Sequence, residues 1–476
     1  MPYRRPMQQN IFIQLASYRD NQLLPTLLDM HNNAEHPENL SIVVAWQHGP
    51  EDTVEDFIKN GFKLNENSID PRNNLTEKEK IDRNIGNDKL ISLSFLGSDL
   101  KLIDIHYLET TGACWARNKI QQYYSGEKYT LQLDSHHRFV PHWDSLLIEM
   151  IESLRYKSKK PLLTGYISSF DPENDPEGRI NEPWKMDFDR FIPEGRVFFR
   201  PSTIDNWRER TEPMLGRFYS AHFAFADGSF ATEVQHDPEY FFHGEEISIG
   251  VRAFTHGYDI YHPHRVVAFH EYTRKGRIKV WDDHTTLQKN HGKITLDWVE
   301  RNNLCHKRNR ILFGMDGEDP AQINFGKYGF GTERTVKDFE EYAGMSFKYR
   351  SIQQCVLDRT EPTLTWKVYD NSDEWKRTLL RSNDVRILLN KDELKDENGN
   401  VPDDYDFWYV GVHDKEYKEI SRKDITTAEI YEHLKNQFVD YRFIFLGDVN
   451  NAPETFTIWP HTKSKEWMTR IVKPAA

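Results

Sequence analysis

The residues best suited to chemistry are Asp134 and His136, which follow an apolar run at 129–133 that predicts a β-strand. Residues two apart on an extended chain point the same way, so this carboxylate and imidazole can share one divalent cation. Mixed oxygen and nitrogen ligation suits Mn²⁺ better than Ca²⁺ and leaves Zn²⁺ open. The alternative is that Asp134 caps the next turn and the histidine is a surface residue, because so short a motif recurs by chance.

Two later segments carry groups of the same kind. The sequence HGEE at 243–246 precedes an apolar helical pattern, and acidic residues there also suit the positive end of a helix. We interpret Glu245 as a candidate catalytic residue that reaches a substrate hydroxyl or positions an acceptor. The apolar run at 266–269 ends at His270, a candidate third metal ligand, with His264 as a weaker rival. A histidine that stood alone at such a place would be structural.

These groups need a scaffold that brings strand ends together, and the hydrophobic pattern predicts one. Helical patterns alternate with apolar runs that are typical of strands. The alternation predicts an open α/β sheet, in which ligands gather at the carboxyl ends of the strands. The predicted strands of this part of the chain lie at 11–15, 40–46, 102–108 and 129–133.

The rest of the chain predicts a lid and a second domain. Residues 171–214 are polar and proline-rich, which predicts an irregular lid with Trp184 and Trp207 as a candidate acceptor wall. We expect a catalytic domain over 1–340 and a smaller β-rich accessory domain over 341–476, interpreted as acceptor-binding. The polar stretch 64–90 is expected to lie off the core. The predicted C-terminal strands lie at 364–369, 385–389, 407–412, 441–446 and 456–459.

Composition excludes several classes of protein. The 476 residues include 62 Lys and Arg against 75 Asp and Glu, a net charge of −13, which argues against a nucleic-acid partner. The three cysteines are widely spaced, which favours a reducing compartment over a disulfide framework. No apolar run has membrane-spanning length, and the N-terminus lacks the apolar core of a signal peptide. We therefore expect a cytoplasmic protein without a transmembrane segment.

The motifs, in this order and spacing, resemble those of the GT-A nucleotide-sugar glycosyltransferases. The DxH form of the DxD signature is shared with the polypeptide GalNAc-transferases, although Phe242 and His243 replace the aromatic-Gly pair of that family. The stronger resemblance is to the GlcNAc-transferase family that includes cytoplasmic enzymes modifying hydroxyproline on proteins. It covers roughly residues 10–275. The segments that carry it are ASYRD (16–20), GACWARN (112–118), LQLDSHHRF (131–139), FYSAHFAFADGSF (218–230), HGEE (243–246) and FHEY (269–272).

The resemblance implies a fold, a donor and a site. The fold is a GT-A, Rossmann-like nucleotide-sugar-binding catalytic domain, and the donor is UDP-GlcNAc or a related UDP-sugar. The reaction retains configuration and transfers the sugar to a hydroxyl of a protein or glycan acceptor. Asp134, His136 and His270 would hold Mn²⁺ (or Mg²⁺) against the departing diphosphate, with Asp134 and Glu245 as catalytic residues. The implied nucleotide-sugar-binding residues are Ala16, Tyr18, Arg19, Arg117, Ser135 and Glu246.

For two residues of that set a purely structural role is the alternative to a role in binding. Tyr18 would stack on uracil, or it is a core aromatic. Arg117 would meet a phosphate near the start of its helix, or it is a solvated helix arginine. The function also has alternatives: a transferase of GalNAc or glucose for surface-glycan synthesis, or an inactive carbohydrate-binding protein. A metal-dependent hydrolase would need further clustered ligands, such as HxHxDH or HExxH, which the sequence lacks.

Overall fold

The computed structural model describes residues 10–65, 76 and 88–475, and the chain forms two compact units. The first unit comprises Met1–Asp189, Phe199–Ala343 and Glu361–Trp366, and the second comprises Arg190–Phe198, Gly344–Thr360 and Lys367–Ala476. Most of the polar stretch 64–90 lies outside the described residues. Residues 1–9, on which the expectation of no signal peptide partly rests, also lie outside them.

The part of the chain before residue 344 contains fourteen strands and ten α-helices in its described residues. The strands are Ile11–Tyr18 (β1), Leu40–His48 (β2), Lys63–Leu64 (β3), Lys89–Phe95 (β4), Ser98–His106 (β5), Tyr129–Asp134 (β6), His137–Phe139 (β7), Pro161–Thr164 (β8), Trp184–Phe191 (β9), Val197–Thr203 (β10), Met214–Leu215 (β11), Phe223–Asp227 (β12), Asp259–His262 (β13) and Ala268–His270 (β14). The helices are Leu23–Asn33 (α1), Val54–Lys59 (α2), Ala113–Gln121 (α3), Trp143–Ser153 (α4), Phe230–Glu233 (α5), Glu245–Thr255 (α6), Val280–Asp283 (α7), Thr286–Asn290 (α8), Trp298–Leu312 (α9) and Val336–Ala343 (α10).

Ten of these strands form one mixed sheet. Their order is β11-β13-β8-β12-β6-β1-β2-β5-β4-β3. The centre is parallel, because β1 pairs in parallel with both β2 and β6, and β2 pairs in parallel with β5. Strand β12 runs antiparallel to both of its neighbours, β6 and β8. The carboxyl ends of β1, β2 and β6 therefore meet at one edge of the sheet, as the sequence predicted.

Helices cover both faces of this sheet and make the core. Alternate residues of β1 point to opposite faces, so Ile13 packs with α1 and α4, whereas Phe12 packs with α3. Leu27 and Trp143 are fully buried on the first face, and Ile120 is fully buried on the second. Two-sided burial explains why the central strands are nearly continuous apolar runs.

The second unit is built largely from two antiparallel sheets. Val410 and Ile458 of one sheet and Ile387 and Phe443 of the other belong to one buried cluster. The strands are Met345–Ser346 (β15), Ser351–Gln353 (β16), Leu379–Asn390 (β17), Tyr405–His413 (β18), Glu419–Thr426 (β19), Phe438–Asp448 (β20), Thr455–Thr462 (β21), Glu466–Trp467 (β22) and Ile471–Pro474 (β23). The short helices are Gln354–Leu357 (α11), Ser372–Arg377 (α12) and Thr427–His433 (α13).

The fold class is confirmed: an α/β part with a large mixed sheet precedes a β-rich part. Two local predictions were wrong. Residues 171–214 are not irregular throughout, because strands β9 and β10 form a two-stranded sheet there, and WKMDFD at the start of β9 does alternate apolar with charged residues. Residues 364–369 form no strand. Instead, the Trp366 ring packs 5.6 Å from the Phe254 ring.

None of the helices in the described ranges combines the length and the apolar character that a bilayer crossing requires.

Candidate metal centre and adjoining cavity

Three side chains that are distant in sequence converge beyond the carboxyl end of β6. Asp134 is the last residue of β6, and His270 is the last residue of β14. The antiparallel pairing of β14 with β7 sets His270 opposite His137, directly beside His136. Ligand atoms of Asp134, His136 and His270 lie within 4.8 Å of one another. The Nε2 atoms of the two histidines are 3.7 and 3.6 Å from Asp134 Oδ2.

The chemistry of this cluster fits a divalent cation. Neither ring nitrogen of His270 has a hydrogen-bond partner in the described part of the chain, although the ring is buried. Burial holds the pKa of His270 well below its usual range, so the ring is neutral and offers a lone pair. Burial alone would raise the pKa of the Asp134 carboxyl, but the nearby His270 and the Arg117 guanidinium hold it well below its ordinary value. A carboxylate and two imidazoles, of which His270 is kept neutral by burial, form a set that suits Mn²⁺.

Asp20 contacts His136 through Nδ1, the ring nitrogen that is not directed at Asp134. Its Oδ2 atom lies 2.7 Å from His136 Nδ1 and accepts a 2.7 Å hydrogen bond from Ser135 Oγ. A carboxylate that accepts a hydrogen bond from Nδ1–H leaves Nε2 as the free ligand atom, which is the usual arrangement behind a metal-bound histidine. Arg277 contacts both Asp20 and His136 and also pairs with Glu271 at 2.8 Å. Asp20 and Arg277 thus fix the orientation of the His136 ring.

Arg117 links this cluster to Glu245. Its Nη2 atom lies 2.7 Å from Asp134 Oδ1, and its Nη1 atom lies 2.7 Å from Glu245 Oε2. Arg117 is a residue of α3, and its side chain is only 3% exposed. Gly112 precedes that helix at φ +133°, and a Cβ there would lie 2.2 Å from the Phe241 carbonyl oxygen. Because Gly112 has no Cβ, the backbone at Phe241, which precedes α6, can pack against the start of α3. This packing places Glu245 next to Arg117.

A second group of potential ligands lies on the far side of Arg117. Cys114, His236 and Glu245 also place ligand atoms within 4.8 Å of one another, and all three are buried. The Cys114 thiol donates a 2.7 Å hydrogen bond to Glu245 Oε2. Burial, together with the negative charge of Glu245, raises the pKa of Cys114 well above its usual range, so the sulfur keeps its proton. His236 Nε2 is held by Gln132 Oε1 at 2.6 Å.

A cavity opens over the first cluster, within the first unit. Its floor includes Ala16, Asp134, Ser135 and His136. Its lining also includes the segment 274–281, which follows β14 and contributes Arg274, Arg277, Lys279 and Trp281 among other residues. Arg277 is already paired with Asp20 and Glu271, so Arg274 and Lys279 are the cations that suit the cavity to an anionic ligand.

Tyr18 and Arg19 stand at the end of β1. Tyr18 lines the cavity and donates a 2.8 Å hydrogen bond to Asp283 Oδ2. Arg19 pairs with the same carboxylate at 3.1 Å and with Glu51 at 2.6 Å. Its guanidinium also lies 4.6 Å from the Tyr107 ring centroid. Tyr18 and Arg19 are therefore both bonded to Asp283, which lies in the part of the chain that follows β14.

The two adjacent acids of α6 have different surroundings. Glu245 bonds to Arg117 and Cys114, as described above. Glu246 accepts hydrogen bonds from the Ala221 backbone N–H at 3.1 Å and from the Tyr166 hydroxyl at 3.3 Å. Burial raises the pKa of Glu246 to about 8, with a further contribution from the Glu245 charge. At neutral pH Glu246 is therefore mostly a neutral acid rather than a carboxylate.

The structure brings most of the predicted site residues together. The predicted residues that line the cavity are Ala16, Tyr18, Arg117, Asp134, Ser135 and His136. His270 joins them through Asp134. Arg19, Glu245 and Glu246 are not among the lining residues of the described chain. Glu245 contacts Arg117, which in turn contacts Asp134.

Sequence reasoning missed three contributors. Asp20 lies inside the quoted ASYRD segment, but no spacing rule connects it to a histidine 116 residues away. Arg277 and Asp283 lie beyond the last predicted ligand, His270, in a polar part of the sequence for which no site residue is predicted. The sequence feature that could have indicated this region is the cluster of basic residues in TRKGRIK at 273–279, shortly after the candidate ligand His270.

Comparison with known proteins shows which family this chain matches. The profile described as Glycosyltransferase (GlcNAc) matches residues 10–349, more than half of the chain. A solved structure of S. aureus TarS 1-349 in complex with UDP is 9% identical, covers 64% of this chain and 72% of its own, and has a TM-score of 0.32. The mannosyltransferase PcManGT from Pyrobaculum calidifontis, in complex with GDP-Man and Mn²⁺, is 9% identical at 56% and 58% coverage, again with a TM-score of 0.32.

Those two structural likenesses are weak, and the assignment does not depend on them. No curated protein matches the chain. The extent of the profile match decides the question, and the chain belongs to the Glycosyltransferase (GlcNAc) family.

Proposed function

We propose that this protein is a metal-dependent, retaining glycosyltransferase that moves GlcNAc from UDP-GlcNAc to a hydroxyl of a protein or glycan acceptor. The observation that carries the proposal is the convergence of Asp134, His136 and His270, of which Asp134 and His136 line a cavity that basic residues also line. Membership of the family supports the sugar-transfer class. The donor sugar, the metal and the stereochemistry are the parts that experiment must decide.

Asp134, His136 and His270 would hold the ion, preferably Mn²⁺. When bound, the ion supplies positive charge to the diphosphate as it leaves. The neutral state of His270 suits this role, because a protonated imidazole offers no lone pair. Asp20 keeps the ligand nitrogen of His136 directed toward the site.

The basic residues of the cavity would bind the diphosphate itself. Arg274, Arg277 and Lys279 line the cavity, and a guanidinium group can bind two phosphate oxygens at once. Tyr18, at the end of β1, would place its ring against the base. Ala16, which also lines the cavity, leaves room for the nucleotide because its side chain is small.

The charge arrangement favours departure of the leaving group over attack by an enzyme nucleophile. Glu245 Oε2 accepts hydrogen bonds from both Arg117 and Cys114, so this oxygen is engaged in positioning. We therefore assign Glu245 to holding Arg117 against Asp134, and we assign the acceptor hydroxyl as the group that attacks from the face that the diphosphate leaves. Arg117 then acts as a fixed positive charge beside Asp134, in place of the role as phosphate ligand that the family resemblance implies.

The test is UDP release from UDP-GlcNAc without acceptor, measured with Mn²⁺ and with EDTA. We expect release to need the ion and to fall about 100-fold or more in Asp134→Asn, the scale for losing one group that stabilises developing charge. Asp104→Asn is the matched control, because Asp104 also lies near the end of a central strand and is similarly exposed, 22% against 26% for Asp134. Equal release by Asp134→Asn and wild type would refute the metal assignment.

A donor panel decides the sugar. UDP-GlcNAc, UDP-GalNAc and UDP-glucose are compared at equal concentration, and we expect the fastest UDP release from UDP-GlcNAc. A faster rate with either of the others would replace the proposed donor. Absence of release from all three, with the ion bound, would favour an inactive carbohydrate-binding protein.

A further inference from the structure

The second unit carries an unusual outward sheet face. Along β18, Trp408, Val410 and Val412 are fully buried in the core, so Tyr409 and its alternate neighbours point to the other face. The strand register places Trp459 of β21 beside Tyr409. On the opposite side, the register sets Asp424 of β19 beside Tyr409. An outward face of an antiparallel sheet is normally polar, whereas this one is largely aromatic.

The rings on this face form a continuous row. Trp467 of β22 lies 4.2 Å from Trp459 and 5.4 Å from Phe407 between ring centroids, and Phe407 stacks on His461 at 5.0 Å. Trp467 is 41% exposed. Aromatic surface left in contact with solvent in this way marks a binding site more often than it marks packing.

A cavity lies in the row. Its walls include Tyr409, Tyr417, Trp459 and Trp467, and its polar groups include two arginines, Arg422 and Arg470. Gly411 sits opposite Arg422 in the register. A Cβ at Gly411 would lie 2.1 Å from the Tyr409 hydroxyl, so a side chain there would displace the Tyr409 ring.

The charges on this face balance. Arg422 is neutralised by a two-bond contact with Asp424, at 3.0 and 2.8 Å. The Tyr409 hydroxyl bonds to Glu419 at 2.5 Å, which supplies the second carboxylate. The second cation is Arg470, which stacks 4.5 Å above Trp459. With Asp406, which lies 3.3 Å from His461 of the row, these carboxylates offset the two arginines and leave no excess of positive charge to attract an anionic ligand.

We propose that this face is a binding site for a neutral glycan, separate from the nucleotide-sugar cavity. A pyranose ring has an apolar C–H face that stacks on an indole, and a rim of hydroxyls that guanidinium and phenol groups can bond. A row of rings on a flat sheet suits successive sugars of one chain. A proline-rich peptide also stacks on aromatic rings, but it would make less use of the arginines and carboxylates that edge this site.

The test uses the full chain and immobilised neutral oligosaccharides of glucose, N-acetylglucosamine, mannose and galactose, alongside polyuronates and a proline-rich peptide. We expect wild type to bind at least one neutral oligosaccharide. Trp467→Ala should weaken that affinity at least tenfold in calorimetric titration, and Trp467→Phe should keep part of it. Phe438→Ala is the matched control, because Phe438 is an aromatic residue of the same unit, 51% exposed on β20.

The outcomes separate this site from the transferase proposal. UDP release without acceptor should be the same in all three variants and wild type, whether or not the transferase assignment is correct. Binding only to polyuronates, only to the peptide or to none of the probes would overturn the proposal. Wild-type affinity in Trp467→Ala would overturn it as well.

Discussion

Two clusters in the first unit each bring together three potential metal ligands, but only one of them has the chemistry of a metal site. Asp134, His136 and His270 form the first, and Cys114, His236 and Glu245 form the second. In each, the three potential ligand atoms lie within 4.8 Å of one another. Arg117 touches a carboxylate of both clusters, at 2.7 Å in each case.

The difference lies in what already satisfies the ligand atoms. In the second cluster the Glu245 oxygen Oε2 accepts from both Arg117 and the Cys114 thiol, and the sulfur is protonated. In the first, His270 has two buried nitrogens without hydrogen-bond partners among the described residues. Proximity of ligand-type residues is therefore not enough. A metal site also needs deprotonated donors with free lone pairs, and the protonated Cys114 sulfur is not one.

The largest expected effect comes from removing the shared cation. Arg117→Ala leaves two carboxylates without their partner in a buried setting, so the free energy of unfolding should fall by about 3–5 kcal/mol. Arg265→Ala is the control, because its pair with Glu149 is exposed at both ends and should contribute no more than about 1 kcal/mol. Denaturant unfolding of both variants measures the difference. Similar small losses would mean that Arg117 does not balance the two clusters.

A smaller effect is expected from the residue behind His136. Asp20→Asn removes the carboxylate that orients the ring, and the affinity for Mn²⁺ should fall about 10- to 100-fold. Asp283→Asn serves as the comparison, because Asp283 bonds to Tyr18 and Arg19 and to no candidate metal ligand. Calorimetric titration with Mn²⁺ distinguishes them. An unchanged affinity in Asp20→Asn would remove Asp20 from the site.

The smallest effect is expected in the second cluster. Cys114→Ala deletes one hydrogen bond to Glu245, so it should lower stability by about 1 kcal/mol and leave the number of bound ions and their affinity unchanged. Titration with Mn²⁺ and with Zn²⁺ measures both quantities. Loss of a bound ion in this variant would show that the second cluster is itself a metal site and would break the contrast drawn above.

The sequence predicts the strand ends well and the contacts between them poorly. Tyr129–Asp134 and Ala268–His270 are short apolar runs that end at polar residues, so both candidate ligands at strand ends were visible. Their meeting depends on the pairing of His270 with His137, which is a long-range contact without a local signature. Arg117 looked like a phosphate ligand because its helix starts near the cavity. Only the fold brings Glu245, 128 residues later, onto its second nitrogen.

The most direct measurement is the count of bound Mn²⁺ per chain, read from the electron paramagnetic resonance signal of the free ion in the presence of UDP. We predict one tightly bound ion in wild type and in Cys114→Ala, and its loss in His270→Ala, whose ring nitrogens have no hydrogen-bond partner in the described chain. Wild-type affinity in His270→Ala would contradict the account.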